Sequence, residues 1–356
     1  MRRALDLAWR GWGRVAPNPL VGAVVLAAGE PAGEGWHAEY GGAHAESAAL
    51  AAAGERARGA TLVVTLEPCA HTGKQPPCTD AILRAGIARV VAALPDPNPA
   101  AGGGAERLRA AGVVVEVGAL ACEAAAQNAA FLHRFRDTSR PYVALKLATT
   151  LDGRIADAAG QSRWISGPEA REYVQWLRAG FDAIGVGGRT ARRDDSSLTV
   201  RGPVVPRVPP RRVVFDPRVE LDPEQALVRT ASEVPTTVVA APGIGGPRRA
   251  PLEDAGVGML DAADLRAALA ALRADGVASI LIEGGGRLAG ALLAAELVDR
   301  FYWVQSPLWL GDGVPAVSGL FAIPLDRADR WQVVERRALG QDTLLVVDRR
   351  PCSPAS

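Results

Sequence analysis

Two α/β domains joined in tandem are what this sequence predicts, and three observations lead there. The chain has 356 residues, about twice a common single-domain length. Strand-like apolar runs alternate with helix-like segments from one end to the other, the pattern of layered α/β folds. Between Phe131 and Pro141 that pattern breaks into charged residues ending in Ser139-Arg140-Pro141, which read as a link. The predicted domains are residues 1–140 and 141–356.

In the first domain, Leu5, Trp9 and Trp12 fall near one face of a helix over 4–12, and Pro17-Asn18-Pro19 forces a turn after it. Residues 21–27 read as a strand. The Ala-rich stretch 44–54 reads as a helix, with Gly54 as its stop. A buried strand follows over 61–66, then the turn Glu67-Pro68-Cys69 and a helix over 79–86 that puts Cys78 at its start. Strand 90–94, the loop Asp96-Pro97-Asn98-Pro99, helix 104–111 and strand 113–117 complete the domain. The second domain begins at Tyr142. Its predicted strands are 143–148, 183–186, 212–215, 236–240, 279–283, 301–305 and 343–347, with helices near 168–179, 262–275 and 289–295 between some of them.

Composition narrows the function classes. The formal net charge is +1, with 14 basic against 13 acidic residues up to Arg140 and 26 of each after it. Binding to a nucleic-acid backbone draws on clustered Lys and Arg, so small molecules are the expected partners and nucleic acid is not. No run of 18 apolar residues occurs, and none follows Met1-Arg2-Arg3, so neither a membrane span nor a signal peptide is expected. Four cysteines without a disulfide framework suit a reducing compartment, and a cytoplasmic location is expected. Disorder is expected only at the tail, residues 351–356. Of the 40 basic residues only Lys74 and Lys146 are lysines. In so Arg-biased a chain they mark candidate positions for a compact ammonium with a tunable pKa.

The chemistry is concentrated in His44-Ala45-Glu46, Pro68-Cys69 and Cys78. One imidazole and two thiolates are three zinc ligands that leave a fourth position open, as a catalytic zinc requires. Glu46, two residues beyond His44, is placed to carry protons. Zinc-dependent base deaminases use an H-x-E followed by P-C-x-x-C, but here eight residues separate Cys69 from Cys78. The metal ligands His44 and Cys78 both fall at predicted helix starts, where the dipole favours anionic groups. Cys122 and Cys352 stand alone and carry no such reading. In the second domain, the strand ending at Glu283 runs straight into Gly284-Gly285-Gly286, a turn whose backbone N–H groups suit a phosphate. The acidic residue that a dinucleotide fingerprint needs about 20 residues later is missing. Lys146 in an earlier strand and Glu283 at a strand's carboxyl end fit the place where open α/β sheets bind ligands.

In these residues and several others, the chain resembles the bifunctional riboflavin-biosynthesis deaminase-reductases over nearly its whole length. The resemblance rests on residues 16–22, Gly35-Trp36-His37, His44-Ala45-Glu46, residues 67–74, Pro76-Pro77-Cys78 and Asp96-Pro97-Asn98-Pro99 in the first half. In the second half it rests on residues 146–148, Leu151-Asp152-Gly153-Arg154, Ser162-Arg163-Trp164-Ile165, Leu177-Arg178-Ala179, Thr190, Asp194-Asp195, Leu198-Thr199-Val200-Arg201 and residues 283–285. It implies an N-terminal three-layer α/β/α domain like the cytidine deaminases and a C-terminal α/β domain like dihydrofolate reductase. The implied substrate is 2,5-diamino-6-(ribosylamino)pyrimidinone 5'-phosphate, deaminated hydrolytically with Zn2+ and then reduced by NADPH from ribosyl to ribityl.

By the same resemblance Glu46 is the catalytic proton carrier, and Asn18, His37 and Lys74 hold the deaminase substrate. Lys146, Ser162, Arg178, Leu198, Arg201 and Glu283 match the reductase substrate site. Ala148, Trp164, Thr190, Asp194, Gly285, Gly286, Arg287, Leu288, Ala289, Gly290 and Ala291 match cofactor positions. A homo-oligomer is expected. Pro217 and Ser196 depart from the family pattern near the cofactor, and the 301–310 segment matches it only loosely. Two other readings compete: a nucleoside or RNA base deaminase with a non-catalytic C-terminal binding domain, and a scaffold with a structural zinc.

Overall fold

Short, mostly apolar strands build the core of the first sheet, as the computed structural model shows for its described residues, 1–328 and 331–349. The tail 351–356, with its expected disorder and Cys352, lies outside them. Strands β1 (Gly22–Ala27), β2 (Glu30–Trp36), β3 (Thr61–Val64), β4 (Arg89–Ala92) and β5 (Val114–Val117) lie in the order β2-β1-β3-β4-β5. β1 runs antiparallel to both neighbours, and β3, β4 and β5 are mutually parallel. Ala23 and Val25 of β1 point to one face, where they join Leu62 and Val64 in a core. That face is covered by α2 (Ala45–Ala53), α3 (Cys78–Ala85) and α4 (Gly104–Ala110). Val24 points the other way and meets Ala4 and Leu7 of α1 (Arg2–Ala8). On the same side α5 (Ala121–Gln127) places Ala124 against Leu5. The result is the expected three-layer arrangement, with each buried Val or Leu contributing about 1.5–3 kcal/mol relative to exposure.

The segment read as a link is mostly a helix. α6 (Ala129–Arg136) belongs to the first of two compact units, and the division falls between Arg136 and Asp137. Charged residues on its exposed side hid a helix whose Leu132 is buried.

Among its described residues, the second unit has nine strands in one sheet, with a two-stranded ribbon paired separately. In chain order they are β6 (Tyr142–Thr149), β7 (Arg154–Ala156), β8 (Ala183–Gly187), β9 (Arg211–Phe215), β10 (Thr236–Ala240), β11 (Gly258–Asp261), β12 (Ser279–Glu283), β13 (Arg300–Gln305), β14 (Val314–Pro315), β15 (Gln332–Leu339) and β16 (Asp342–Asp348). The sheet order is β11-β10-β9-β8-β12-β6-β13-β16-β15, and β14 pairs with β7. The strands from β11 to β13 are parallel; β16 and β15 add antiparallel pairs at one edge. Being covered on both faces, the central strands are apolar almost throughout, as in Ile280-Leu281-Ile282.

The helices of this unit are α7 (Pro168–Arg178), α8 (Gly188–Asp194), α9 (Ala226–Arg229), α10 (Gly246–Asp254), α11 (Leu265–Ala274) and α12 (Gly286–Ala294). α11 and α12 pack on the face bearing Val143, Leu145 and Ile282. α8, α9 and α10 cover the face bearing Ile184, Val214 and Val238. The seven predicted strands are present, while β7, β11, β14 and β15 were not expected. Among the described residues no helix is long and apolar enough to cross a membrane.

Candidate active sites

In the first unit, the β3–α3 and β2–α2 connections deliver the metal-binding residues to one point. His44 is the N-cap of α2 and Cys78 the first residue of α3. Cys69 arrives on the turn after β3, which α4 approaches closely: a Cβ on Gly104 would stand 1.7 Å from the Pro68 carbonyl oxygen. Only glycine fits there. Glu67 ties the same turn down, its buried carboxylate accepting from the N–H of Ala105 at 2.8 Å and of Asp96 at 3.2 Å.

The ligand atoms of His44, Cys69 and Cys78 all lie within 4.8 Å of one another. His44 Nδ1 is 3.2 Å from Cys78 Sγ and 3.6 Å from Cys69 Sγ. Tetrahedral zinc with ordinary bond lengths sets its N and S ligands about 3.6 Å apart, so the donor set fits that ion. The thiols support this further. A hydrogen bond with Cys78 draws Cys69 down to about 4, while the bond to Cys69 pushes Cys78 well up. A dication bound between them would favour the thiolate form of both. Among the described residues no fourth His, Cys, Asp or Glu joins the group, which leaves a coordination position open and disfavours a closed structural zinc.

Glu46, 4% exposed, stands beside this cluster and lines a cavity of about 240 Å³. Burial pushes its carboxyl up to about 7; a dication on the cluster would pull it back down. Asn18, His37 and Lys74 line the same cavity. His37 is buried, and its pKa is lowered by that burial. Its Nδ1–H donates to the Ala43 carbonyl at 3.0 Å, so Nε2 accepts from the Asn18 amide at 3.1 Å. His37 is therefore a neutral support for Asn18. Sequence reading missed Asn128, which grips Leu20 through both N–H (2.8 Å) and C=O (2.9 Å) and so fixes the turn carrying Asn18. It also missed Asp96 and Asn98 as cavity lining, although their loop was marked.

In the second unit, a cleft of about 1270 Å³ opens at the carboxyl ends of β6, β8 and β12. Lys146 and Glu283 are direct register partners on β6 and β12. Arg178, from the end of α7, binds Glu283 with both arms, Nε to Oε1 at 2.6 Å and Nη2 to Oε2 at 2.8 Å. Burial raises the Glu283 carboxyl, but Arg178 and then Lys146 outweigh it and hold it below its usual range. Lys146 is lowered by burial, with Glu283 opposing. Asp342, also buried, adds a further negative charge near Lys146 and accepts from the Gly167 N–H at 2.7 Å, where α7 begins. Nothing in the sequence marked it.

Ala148, Ser162, Trp164, Thr190, Asp194, Leu198 and Arg201 all line this cleft, as do residues 285–288. Trp164 is 68% exposed, with the Arg171 guanidinium 4.7 Å from its ring centre. The wall stops before Ala289, Gly290 and Ala291. Ala289 lies in the apolar core, and Gly290 is turned against the Ser318 backbone. Of the two departures, Ser196 lines the cleft and Pro217 does not; the Pro217 carbonyl accepts from the Ala241 N–H at 3.0 Å.

Comparison with known proteins finds a match in each half of the chain. Residues 1–94 match the family described as the cytidine and deoxycytidylate deaminase zinc-binding region, and residues 141–345 match the RibD C-terminal domain. The chain is 41% identical to the riboflavin biosynthesis protein RibD of Escherichia coli, over 97% of each protein. It is 39% identical to that of Aquifex aeolicus, over 98% of this chain and 97% of the other. Among solved structures, Acinetobacter baumannii RibD is 36% identical with a TM-score of 0.81, covering 98% of this chain and 97% of that one. A Thermotoga maritima protein described as a diaminohydroxyphosphoribosylaminopyrimidine deaminase/5-amino-6-(5-phosphoribosylamino)uracil reductase is 34% identical with a TM-score of 0.82, covering 99% and 97%.

Proposed function

The chain belongs to the RibD family of riboflavin-biosynthesis proteins, bifunctional deaminase-reductases, and from that premise we propose how its residues divide the two reactions. Residues 1–140 deaminate 2,5-diamino-6-(ribosylamino)pyrimidinone 5'-phosphate. His44, Cys69 and Cys78 hold zinc, which when bound supplies a Lewis acid that makes water acidic near neutrality. Glu46 takes the proton of the attacking water and hands it to the departing amine at C2, a relay suited to a buried carboxyl beside the metal ligands. Asn18, braced by His37, presents its amide to the pyrimidine. Lys74, exposed at the cavity, meets the 5'-phosphate.

Residues 141–356 reduce the deaminated product. NADPH, when bound, supplies the hydride that reaches C1'. Backbone N–H groups at Gly285, Gly286, Arg287 and Leu288, where α12 begins, face its phosphates. Ala148, Trp164, Thr190 and Asp194 complete the cofactor wall. Arg201 offers a guanidinium fork to the substrate phosphate, and Ser162, Leu198 and the Arg178–Glu283 pair shape the pocket for the ribosyl group. Lys146 gives a proton to the ring oxygen as its bond to C1' opens, leaving a ribityl chain with a new hydroxyl. The protein works in the cytoplasm, where Cys69 and Cys78 stay reduced. It works as a homo-oligomer, which would cover exposed apolar residues such as Trp309 and Phe321.

One observation carries this reading: the buried Glu46 carboxyl and two members of the three-donor cluster, His44 and Cys69, line one cavity together with Lys74. The test supplies the ribosylaminopyrimidine phosphate with and without NADPH and follows ammonia and nicotinamide absorbance separately. Ammonia should appear without NADPH, and oxidation of NADPH should require the deaminated product. Faster deamination of cytidine or tRNA would overturn the assignment.

A further inference from the structure

Lys74 lies over an aromatic face. Its Nζ stands 4.1 Å from the centre of the Tyr40 ring. Two other contacts fix this arrangement. Gln75, next along the loop, donates its side-chain N–H to the Gly41 carbonyl at 2.9 Å, so the Lys74 loop is pinned to the Tyr40 loop. Glu39, the nearest acid along the Tyr40 loop, is engaged by Arg14 at 2.8 Å. Among the described residues Lys74 makes no ion pair, and Tyr40, Gly41, Lys74 and Gln75 all line the deaminase cavity.

The choice of an aromatic partner has a chemical consequence. A carboxylate at this place would hold the ammonium but cancel its charge and occupy its donors. A ring face attracts the cation through its quadrupole and does neither. The ammonium is oriented, keeps its full charge, and has N–H groups free for an anion.

We propose that Tyr40 is a positioning residue for substrate recognition: its ring holds Lys74 at the cavity so that the lysine receives the substrate's phosphate. This rests on the reading of Lys74 as the phosphate-binding residue, and the experiment separates the two.

Ammonia release by the zinc-loaded full-length protein is measured for the phosphorylated substrate and its 5'-dephosphorylated form. Tyr40→Leu should raise KM for the phosphorylated substrate about fivefold, the effect of a partly exposed cation–π contact, with kcat unchanged. It should leave the dephosphorylated form unaffected. Tyr40→Phe, which keeps the ring, should behave as wild type, and in a Lys74→Met background Tyr40→Leu should add nothing. If Lys74→Met itself leaves KM for the phosphorylated substrate unchanged, the Lys74 reading fails and the proposal with it. If Lys74→Met acts while Tyr40→Leu is silent, only the Tyr40 proposal is lost. Equal effects of Tyr40→Leu on both substrates, or a Tyr40→Phe variant as impaired as Tyr40→Leu, would also overturn it by showing a packing or hydroxyl role.

Discussion

Around Glu46, the three metal-binding side chains and the acid come from one stretch between His44 and Cys78, gathered on two helix starts and one turn. In the reductase cleft, Arg178 and Glu283 are 105 residues apart, and Asp342 is 175 residues from the Gly167 N–H it binds. The first cavity is about 240 Å³ and the second about 1270 Å³. The difference follows from the chemistry assigned to each. A hydrolytic deamination needs one metal, one water and one proton carrier at a point. A hydride transfer needs two large molecules side by side, and the carboxyl ends of several adjacent strands supply that room. The compact site fails when one atom changes, whereas the wide cleft depends on charges balanced across the fold.

The largest effect is expected at the compact site. Glu46→Gln keeps the shape and leaves all three ligands, so zinc should be retained. Ammonia release should fall by about 10²–10⁴-fold, the usual worth of a positioned proton carrier. NADPH oxidation with the already deaminated substrate should survive at the wild-type rate. A variant that still deaminates normally would remove Glu46 from the proton relay; loss of both activities would show that the two sites are not independent.

A smaller effect, on stability as well as catalysis, is expected in the cleft. Glu283→Gln leaves the buried Arg178 guanidinium without its bidentate carboxylate and Lys146 without the negative charge of its strand neighbour. Breaking a buried pair on one side costs about 3–5 kcal/mol. The unfolding transition of the reductase unit should move down and NADPH oxidation should be lost, while ammonia release persists at temperatures where both units stay folded. An unchanged transition would mean that the pair is balanced by solvent and not by the cluster.

The same contrast decides what could be read from the sequence. Spacing alone assembled His44, Glu46, Cys69 and Cys78, because neighbouring residues on short elements stay neighbours in space. The apolar strands of both sheets were legible for the same reason. β2 was not, because Glu-Pro-Ala-Gly-Glu-Gly-Trp lacks an apolar alternation. Its glycines answer a tertiary demand: a Cβ on Gly35 would lie 2.4 Å from the Ala45 carbonyl oxygen and the Ala49 nitrogen of α2. Arg178 and Glu283 were each assigned to substrate, but their grip on each other depends on bringing α7 to the end of β12. Asp342 was invisible, since its partners come from the two distant segments around Gly167 and Lys146.

Asp342 provides the finest test of that balance. Asp342→Asn keeps an oxygen for the Gly167 N–H, so the start of α7 is preserved, and removes only the charge. Burial already lowers the Lys146 ammonium; Glu283 opposes that fall, Arg178 adds to it, and Asp342 opposes it more weakly. With the carboxylate gone, the Lys146 pKa moves down again. If the reductase step uses the ammonium, activity holds below that pKa and declines as pH rises through it. The alkaline limb of the NADPH-oxidation profile should therefore shift to lower pH in Asp342→Asn, with the rate on the acidic side little changed. Stability carries the same sign. Lys146 binds its proton less tightly in the folded state, so between the folded and unfolded pKa values the unfolded chain holds more protons and stability rises with pH. In Asp342→Asn the lower edge of this window moves to lower pH. An alkaline limb that stays in place, or moves up, would separate Asp342 from Lys146 and leave it only the role of holding the start of α7. The deaminase profile, measured on the same protein, should not move in either case.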